Sequence, residues 1–344
     1  MKKVAFILNP VSGTRRKSAI LEYVKRAFAL HKDYQAEFYR TTSVGDACRA
    51  AREFVGKNFD IVVAIGGDGT VNEVAEGLIN SSVKLGIIPV GSGNGLARHL
   101  SIPMSYQRAV DAIFEGNCQY IDAGMINGKV FFCTAGVGFD AVVGNKFNSA
   151  PSRGLKTYME FCAKEYMKYT PEEYEIHLLG NSFRQKAFLI TFANSSQWGN
   201  NAVIAPDANI SDGMMDVVIW REAPKVTVPL LTMELFLRTI KYSEFIDTYR
   251  CRELTIIREH EGLIQFDGES MMMGRELNLS VIHKAVQVVV PAEWNPIPQF
   301  MEMMPQHLKE MFPQQLKDMV PQQLKDMVPQ QIRDIVPKLK DMVK

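Results

Sequence analysis

The sequence lacks the features that mark membrane-spanning, secreted and nucleic-acid-binding proteins. No stretch approaches the ~20 uninterrupted apolar residues of a transmembrane helix, and the N-terminal apolar run Val4 to Leu8 is too short for a signal peptide. The 39 Lys and Arg against 38 Asp and Glu leave a net charge of +1, so no strong field attracts nucleic acid. Five cysteines without a C-x-x-C pair fit a reducing compartment. We therefore expect a soluble cytoplasmic protein that holds anionic ligands locally.

Several enzyme signatures are also missing. The sequence has no Walker A loop, no G-x-G-x-x-G fingerprint and no Gly-x-Ser-x-Gly elbow. Its six histidines show no metal-ligand spacing. Serine-hydrolase and zinc-enzyme functions therefore have no support in the sequence.

The first part of the chain shows a repeated pattern of apolar run, glycine-containing loop and helical periodicity. The runs Val4 to Leu8, Ile61 to Ile65 and Leu85 to Val90 predict strands that are apolar throughout. Such strands, alternating with helices, indicate a parallel sheet covered on both faces. We predict a doubly wound α/β domain over residues 1–124.

After about Asp122 the pattern changes to strands separated by Gly, Asn and Asp turns, which predicts a mainly β domain over residues 125–293. Residues 151–169 are an exception, since their apolar residues trace one face of a helix that forms either plain core or the lining of an acyl-chain cavity. From Pro305 a period of eight, as in PQQLKDMV, predicts an amphipathic helical tail within residues 294–344. Its charges nearly balance, so its apolar residues would contact a membrane, the rest of the chain or a second copy.

Three glycine-containing loops follow predicted strands of the first domain, at residues 9–13, 66–70 and 91–94. Glycine allows backbone N–H groups to approach an anion without an intervening side chain. Asp68 lies among the glycines of the second loop, where a carboxylate repels phosphate unless it faces a metal ion or accepts a proton. An isolated loop of this kind is as readily an ordinary tight turn, but three in register favour a nucleotide or phosphate site.

These loops and further motifs resemble the diacylglycerol kinase catalytic family, which includes sphingosine and ceramide kinases and bacterial lipid kinases. The matching motifs occur in order over residues 1–292: Asn9-Pro10-x-Ser12-Gly13, Gly66-Gly67-Asp68-Gly69-Thr70-x-Asn72-Glu73, Pro89-x-Gly91-Ser92-Gly93-Asn94, Gly136-Val137-Gly138-Phe139-Asp140-Ala141, Ser211-Asp212-Gly213-x-x-Asp216 and Asp267-Gly268-Glu269. The resemblance implies an NAD-kinase-like first domain, a β-sandwich second domain and an active site in the cleft between them. It also implies an ATP-dependent kinase that phosphorylates a hydroxyl of diacylglycerol or a sphingoid base at the inner face of the membrane.

The resemblance implies roles for individual residues. The expected nucleotide contacts are Asn9, Ser12, Gly13, Thr41, Gly66, Gly67, Gly69, Thr70, Ser92, Gly93 and Asn94. Asp68 is expected beside the transferred phosphate and its Mg²⁺. Asp267 is expected to take the proton from the lipid hydroxyl, with Glu269 as its polar neighbour, although Asp68 is the alternative base. An isolated Asp-Gly pair is also typical of a hairpin turn.

Two further positions concern the metal and the lipid. Asp212 resembles a magnesium ligand of bacterial family members, but it also fits a turn that holds no metal. Asp140 lies where sphingosine kinases place an acid that recognises the lipid head, and it suits either an amine or a hydroxyl. Gly95 occupies a position where bacterial diacylglycerol kinases commonly have an acid. Sphingosine and ceramide kinases have a small residue at this position, as this sequence does. Both lipid classes therefore stay open.

Two other functions stay open from the sequence. An NAD kinase shares the Gly-Gly-Asp-Gly loop, and a nucleotide-sensing or lipid-binding protein would need the same loops without catalysis. The expected partners are a membrane lipid, the bilayer surface through the tail, and a second copy of the chain in a homodimer. No nucleic-acid partner is expected.

Overall fold

The computed structural model describes residues 1–10, 17–148, 165–166, 168–199, 201–224 and 227–292. Its strands are β1 (Lys2–Leu8), β2 (Tyr34–Arg40), β3 (Ile61–Gly66), β4 (Lys84–Pro89), β5 (Cys118–Ile126), β6 (Lys129–Phe131), β7 (Thr134–Gly138), β8 (Glu172–Leu178), β9 (Asn181–Ala193), β10 (Met215–Arg221), β11 (Ile246–Cys251), β12 (Glu253–Arg258), β13 (Gly262–Phe266), β14 (Glu269–Met273) and β15 (Glu276–Val289). Its helices are α1 (Lys17–Leu30), α2 (Asp46–Gly56), α3 (Asp68–Leu78), α4 (Gly95–His99), α5 (Tyr106–Glu115), α6 (Phe139–Asn148) and α7 (Val228–Leu237), with a 3-10 turn at Ile240–Tyr242.

The first domain is a parallel sheet in the order β2-β1-β3-β4. Strands β1, β3 and β4 are largely buried because helices cover both faces, with α1 packed against α5 and α2 against α3, whereas the edge strand β2 is partly exposed. The periodicity of α1 explains its orientation, since Ile20, Val24 and Phe28 recur every four residues and are buried. The predicted α/β layer is therefore confirmed.

The second domain is a β-sandwich whose two layers share one long strand. The first half of β9 pairs with β8, while its second half pairs with β7 and β10. The inward residues of both layers, such as Tyr174, Ile176, Ile190 and Phe192, form one buried core. The predicted β-sandwich is confirmed, although β9 and β15 are longer than the short strands that the sequence indicates.

Strand β15 connects the two domains. It pairs with β12 over residues 276–280, with β5 over residues 279–282 and 286–289, and with β4 of the parallel sheet at Val288. The pairing is interrupted where Lys284 has a positive φ of 53°. Buried Asp122 stabilises this interruption by accepting hydrogen bonds from Lys284 N at 2.7 Å, His283 Nδ1 at 2.8 Å and Gly213 N at 2.6 Å. The domains are thus joined through the sheet itself, and the boundary at residue 124 stays a prediction.

Some predictions fall on parts of the chain outside the described residues. These are Ser12, Gly13, most of the helix proposed for residues 151–169 and the octad tail from residue 294. None of the described helices is both long and apolar enough to cross a bilayer.

Candidate active site

The glycine loops meet where the strand order of the parallel sheet reverses. The chain leaves β1 toward β2 on one side and leaves β3 toward β4 on the other, which opens a crevice at the carboxyl ends of the strands. Asn9 follows β1 and donates from Nδ2 to Thr70 Oγ1 at 3.2 Å, which links the first loop to the second. Gly66 makes room for Thr70, because a Cβ on Gly66 would lie 2.3 Å from the Cβ of Thr70.

The second and third loops are in direct backbone contact. A Cβ on Gly91 would lie only 2.7 Å from Gly67 Cα, so only glycine permits this approach. Asn94 closes the third loop on itself, because its Oδ1 accepts Gly91 N at 3.0 Å and its Nδ2 donates to Gly91 O at 2.7 Å. Ser92 is left exposed at the tip. The amide of Asn94 therefore shapes the loop that presents Ser92.

Asp68 holds the third loop against the second. Its Oδ2 accepts Asn94 N at 2.9 Å and its Oδ1 accepts Gly95 N at 2.7 Å. Burial raises the pKa of Asp68, opposed by these N–H donors and by the Arg98 guanidinium. Gly93 packs against the same carboxylate, since a Cβ there would lie 2.8 Å from Asp68 Oδ2. Both described hydrogen bonds of Asp68 therefore hold the third loop, and its role beside the transferred phosphate stays a prediction.

Arg98 is a cation of the site that the sequence analysis missed. It lies in the short helix α4, one turn after the third loop, and donates from Nε to Gly93 O at 2.9 Å. A basic residue one turn beyond a glycine loop was the available signal. Its guanidinium brings positive charge to the loop that is expected to contact phosphate.

Asp267 lies in a two-residue hairpin turn between β13 and β14. Asp267 and Gly268 have φ values of 46° and 89°, as a tight hairpin requires. The hairpin that the sequence suggested as an alternative to a functional role is therefore present. The same turn also places the Asp267 carboxylate inside the cleft, so a structural and a chemical role are compatible.

The Asp267 carboxylate accepts four hydrogen bonds. Oδ1 accepts Cys133 N at 2.8 Å and Thr134 N at 2.9 Å, while Oδ2 accepts Phe132 N at 2.8 Å and Asn72 Nδ2 at 2.5 Å. Phe132 and Cys133 lie between β6 and β7 and Thr134 begins β7, whereas Asn72 belongs to helix α3 of the first domain. Asp267 therefore joins the two domains at the cleft.

Electrostatics at the cleft follow from this burial. Burial raises the pKa of Asp267 to about 6, opposed by its four N–H donors. Burial also raises the pKa of the Cys133 thiol, with further contributions from the charges of Asp267 and Asp68. Cys133, which the sequence analysis missed, thus lies near both carboxylates. Glu269 reaches the first turn of α3, since its Oε1 would lie 2.9 Å from a Cβ on Gly69.

Asp140 is connected to the Asp267 turn through one glutamine. Its Oδ1 accepts Ala141 N at 2.7 Å and its Oδ2 accepts Gln265 Nε2 at 3.3 Å. Gln265 Oε1 in turn accepts Gly268 N at 3.2 Å. Burial raises the pKa of Asp140 to about 7. Gln265 was missed by the sequence analysis, although a buried polar residue in the apolar strand β13 was a visible signal.

Asp212 lies apart from this network. Its carboxylate accepts a hydrogen bond from the Arg250 guanidinium and another from Met214 N at 3.0 Å. Asp216 Oδ1 lies 3.7 Å from Arg250 Nε, so one guanidinium serves both acids. Among the described residues, no three His, Cys, Asp or Glu side chains surround a common point. In this arrangement a divalent cation does not fit at Asp212 unless Arg250 is displaced, and its role as a metal ligand stays a prediction.

Two motif residues serve the scaffold of the first domain. Thr41 is buried at the end of β2, where its backbone N–H donates to Leu8 O at 3.0 Å, and none of its described contacts is to the glycine loops. Glu73 caps the start of α2, since its two carboxylate oxygens accept Gly45 N at 2.9 Å and Ala47 N at 3.1 Å. Both residues position neighbouring elements.

Comparisons with known proteins agree with this arrangement. Residues 3–126 match the diacylglycerol kinase catalytic domain, and residues 133–290 match the YegS C-terminal NAD kinase beta sandwich-like domain. Two crystal structures from Bacillus anthracis strain Sterne share the fold at 19% identity. One, of a candidate diacylglycerol kinase, has a TM-score of 0.71 and covers 85% of this chain and 96% of its own. The other, described as a diacylglycerol kinase, has a TM-score of 0.66 and covers 85% and 97%.

Sequence relatives extend the agreement. A diacylglycerol kinase of Bacillus subtilis strain 168 is 34% identical over 308 residues, which cover 85% of this chain and 98% of the relative. A diacylglycerol kinase of Staphylococcus aureus strain MRSA252 is 30% identical over 225 residues, 63% of this chain and 70% of the relative. With both domains matched in order and a relative aligned almost end to end, the chain belongs to the diacylglycerol kinase catalytic domain family, a family of lipid kinases.

Proposed function

We propose that this protein transfers the γ-phosphate of ATP to the hydroxyl of diacylglycerol at the inner face of the membrane. The observation that carries the proposal is the hydrogen bond between Asn72 and Asp267. It joins helix α3, which begins within the Gly66–Thr70 segment, to the carboxylate of the second domain. A phosphate donor on the first domain and an acceptor alcohol on the second would meet at this contact.

The first domain supplies the nucleotide site in this proposal. ATP enters as its magnesium complex, with its phosphates against the three loops and the first turn of α3. Backbone N–H groups of a first helical turn have no partner within the helix and attract anions. Gly67 and Gly91 keep the loops in contact, and Arg98 adds a positive charge. Ser92 supplies an exposed hydroxyl at the tip of the third loop.

Asp267 accepts the proton from the acceptor hydroxyl. As the hydroxyl oxygen bonds to the γ-phosphorus, the bond to the bridging oxygen breaks, ADP leaves and the proton moves to the carboxylate. A carboxylate has about four acceptor positions, and all four are used by N–H donors here. The hydroxyl therefore replaces Asn72, which is the one side-chain donor, while the three backbone bonds hold the carboxylate. Glu269, whose carboxylate lies beside Gly69, acts as the polar neighbour of Asp267.

Asp140 favours diacylglycerol over a sphingoid base. Its pKa of about 7 means that a substantial fraction is neutral at physiological pH. Its described partners, Ala141 N and the Gln265 amide, are also neutral. The desolvation cost is smaller when such an acid forms a hydrogen bond to a neutral glycerol head than when it pairs with a buried ammonium group. The names of the Bacillus subtilis and Staphylococcus aureus relatives support the same choice.

A substrate panel tests the proposal. Purified protein receives labelled ATP with diacylglycerol, monoacylglycerol, sphingosine, dihydrosphingosine or ceramide in mixed micelles, or with NAD. We expect label to enter diacylglycerol at least about tenfold faster than any other acceptor, since a mismatched polar head leaves buried groups unpaired. Preferred labelling of sphingosine would show that the acceptor is a sphingoid base and not diacylglycerol. Label in NAD alone would refute the lipid kinase assignment.

A further inference from the structure

Helix α7 is apolar on both sides, which is unusual for a helix on the surface of a domain. Leu231 and Leu235 point inward and are buried in a core cluster under the helix. On the opposite side, Met233, Phe236 and Leu237 are 53%, 41% and 61% exposed. Their i, i+3 and i+4 spacing brings the three side chains onto one face. The outward face of α7 therefore presents a continuous apolar surface to solvent.

Aromatic and basic residues border this surface. Tyr242, at the end of the 3-10 turn that follows α7, is 65% exposed. Arg238 directly follows Leu237 and is exposed as well. Lys241 Nζ lies 5.1 Å from the Tyr242 ring centroid and pairs with Asp207 at 2.6 Å. An apolar face edged by tyrosine and cationic side chains is the composition that suits the interface between water and a lipid bilayer. Met233, Phe236, Leu237 and Tyr242, with Arg238, are called the α7 patch below.

The α7 patch is connected to the active-site cleft. Val203 N donates to Leu235 O at 3.0 Å, which fastens α7 to the loop that precedes β10. In the same loop, a Cβ on Gly199 would lie 3.3 Å from Gly93 Cα of the third glycine loop. The described residues of this loop thus contact both the helix and the proposed phosphate site.

The inner side of α7 leads toward Asp140. Leu231 and Leu235 share their core cluster with Phe139 and Phe188. Phe139 directly precedes Asp140, which is proposed to bind the lipid head. Helix α7 and the residue that precedes Asp140 therefore belong to one buried core, so the α7 patch and the proposed lipid-head site lie on the same layer of the second domain.

We infer that the α7 patch is a membrane-docking surface whose partner is an anionic lipid bilayer. This inference rests on the proposed function, because a diacylglycerol kinase must take its acceptor from a bilayer. Burying exposed apolar side chains in the acyl boundary drives such docking, and Arg238 adds attraction to anionic headgroups. The location of the α7 patch beside the cleft would hold the active site at the membrane surface.

Vesicle sedimentation with the full-length chain tests the inference. The variant Met233→Ser/Phe236→Ser/Leu237→Ser removes the apolar face without touching the cleft, and Leu30→Ser removes an apolar side chain that is 83% exposed on α1. We expect the triple variant to bind phosphatidylglycerol-containing vesicles at least about tenfold more weakly, since apolar burial supplies much of the affinity of interfacial helices. Leu30→Ser should bind like the unmodified protein.

Further readouts make the outcome decisive. The triple variant should keep its thermal unfolding temperature and its turnover of a short-chain, water-soluble diacylglycerol, while turnover of vesicle-borne diacylglycerol falls with binding. Arg238→Glu should weaken binding to anionic vesicles only. Unchanged vesicle binding in the triple variant would overturn the inference, as would a shift from dimer to monomer in sedimentation velocity with binding unchanged.

The same experiment separates the inference from the proposed function. If the unmodified protein binds vesicles through the α7 patch but phosphorylates no lipid, the proposed function fails and the docking surface stands. If it phosphorylates vesicle diacylglycerol and the triple variant does so equally well, the docking surface fails and the proposed function stands.

Discussion

The two carboxylates of the cleft, Asp68 in the first domain and Asp267 in the second, are anchored in different ways. Both described bonds of Asp68 go to backbone N–H groups of the neighbouring loop in its own domain. Asp267 accepts three bonds from its own domain and one from Asn72 of the other. An acid whose partners are local shapes one binding loop. An acid whose partners span two domains is held in place only when both domains, and so both proposed binding sites, are correctly positioned.

The difference predicts that the two regions fail differently when altered. Changes in the first-domain loops should weaken nucleotide binding, because they alter the shape of the loops. Changes at the Asp267 turn should reduce turnover while the nucleotide still binds. The predictions below run from the largest expected effect to the smallest.

Asp267→Asn should give the largest loss. The amide keeps the volume of the side chain but cannot take the proton of the acceptor hydroxyl, so kcat should fall at least about 100-fold. Calorimetry should show ATP affinity within about twofold of the unmodified protein, because its proposed phosphate contacts lie in the other domain. Asp111→Asn, at an exposed position of helix α5, is the matched control and should leave both quantities unchanged. Full turnover in Asp267→Asn would remove this residue from the chemistry.

Gly91→Ala should mainly weaken nucleotide binding. The added Cβ would lie 2.7 Å from Gly67 Cα, so the second and third loops must separate. We expect the Kd for ATP to rise at least about tenfold, which corresponds to ~1.4 kcal/mol. Gly56→Ala adds the same methyl group where no atom lies within 4 Å, and it should bind ATP normally. Normal affinity in Gly91→Ala would break the proposed link between loop contact and phosphate binding.

The pH profile should report Asp267. Its pKa is raised to about 6, and only the ionised carboxylate can accept a proton. The titration of Asp267 should therefore lower activity about tenfold for each pH unit below that pKa, and a change near pH 7 would report Asp140 instead. The measurement is kcat/KM for diacylglycerol between pH 5 and 8 at saturating ATP. An acid limb well below pH 5 would contradict the raised pKa.

Asn72→Ala should shift that profile rather than abolish activity. Asn72 donates to the ionised form of Asp267, so its loss should raise the pKa of Asp267 and move the acid limb upward by about one unit. The titration of ATP itself does not move, which separates the two groups. Asn278→Ala, at an exposed position of β15, is the control. An unmoved limb would show that the contact across the domains does not tune the base.

Much of the first domain could be predicted from local sequence. The runs at Ile61 and Leu85 are apolar on both sides because helices cover both faces, and their loops follow directly in the chain. The Gly66–Thr70 loop could therefore be recognised from its own residues and from the strand that precedes it. The hairpin at Asp267 and Gly268 was also predictable, since a two-residue turn with positive φ favours this pair.

Other features depended on contacts between distant parts of the chain. Neither Asn72 nor Gln265 could be linked to its partner from the sequence. Asn72 and Asp267 are 195 positions apart in the chain, and Gln265 and Asp140 are 125 positions apart. The ion pair between Asp212 and Arg250, which comes from another strand, was also not visible in the local sequence. Arg98 and Cys133 became site residues only through the packing of loops. Helix α7 carried an apolar sequence, but its exposure depends on which side the β-sandwich leaves open.

By itself, the sequence determined the elements, the glycine loops and the identity of the chemical groups, because these follow from backbone sterics and the period of apolar residues over a few positions. Only the tertiary structure decided which groups meet. Strand pairing across long separations brought the Asp267 turn to helix α3, buried Asp140 beside Gln265 and left one face of α7 in solvent. Hydrogen bonds and burial depend on distance in space, and spacing along the chain does not encode that distance.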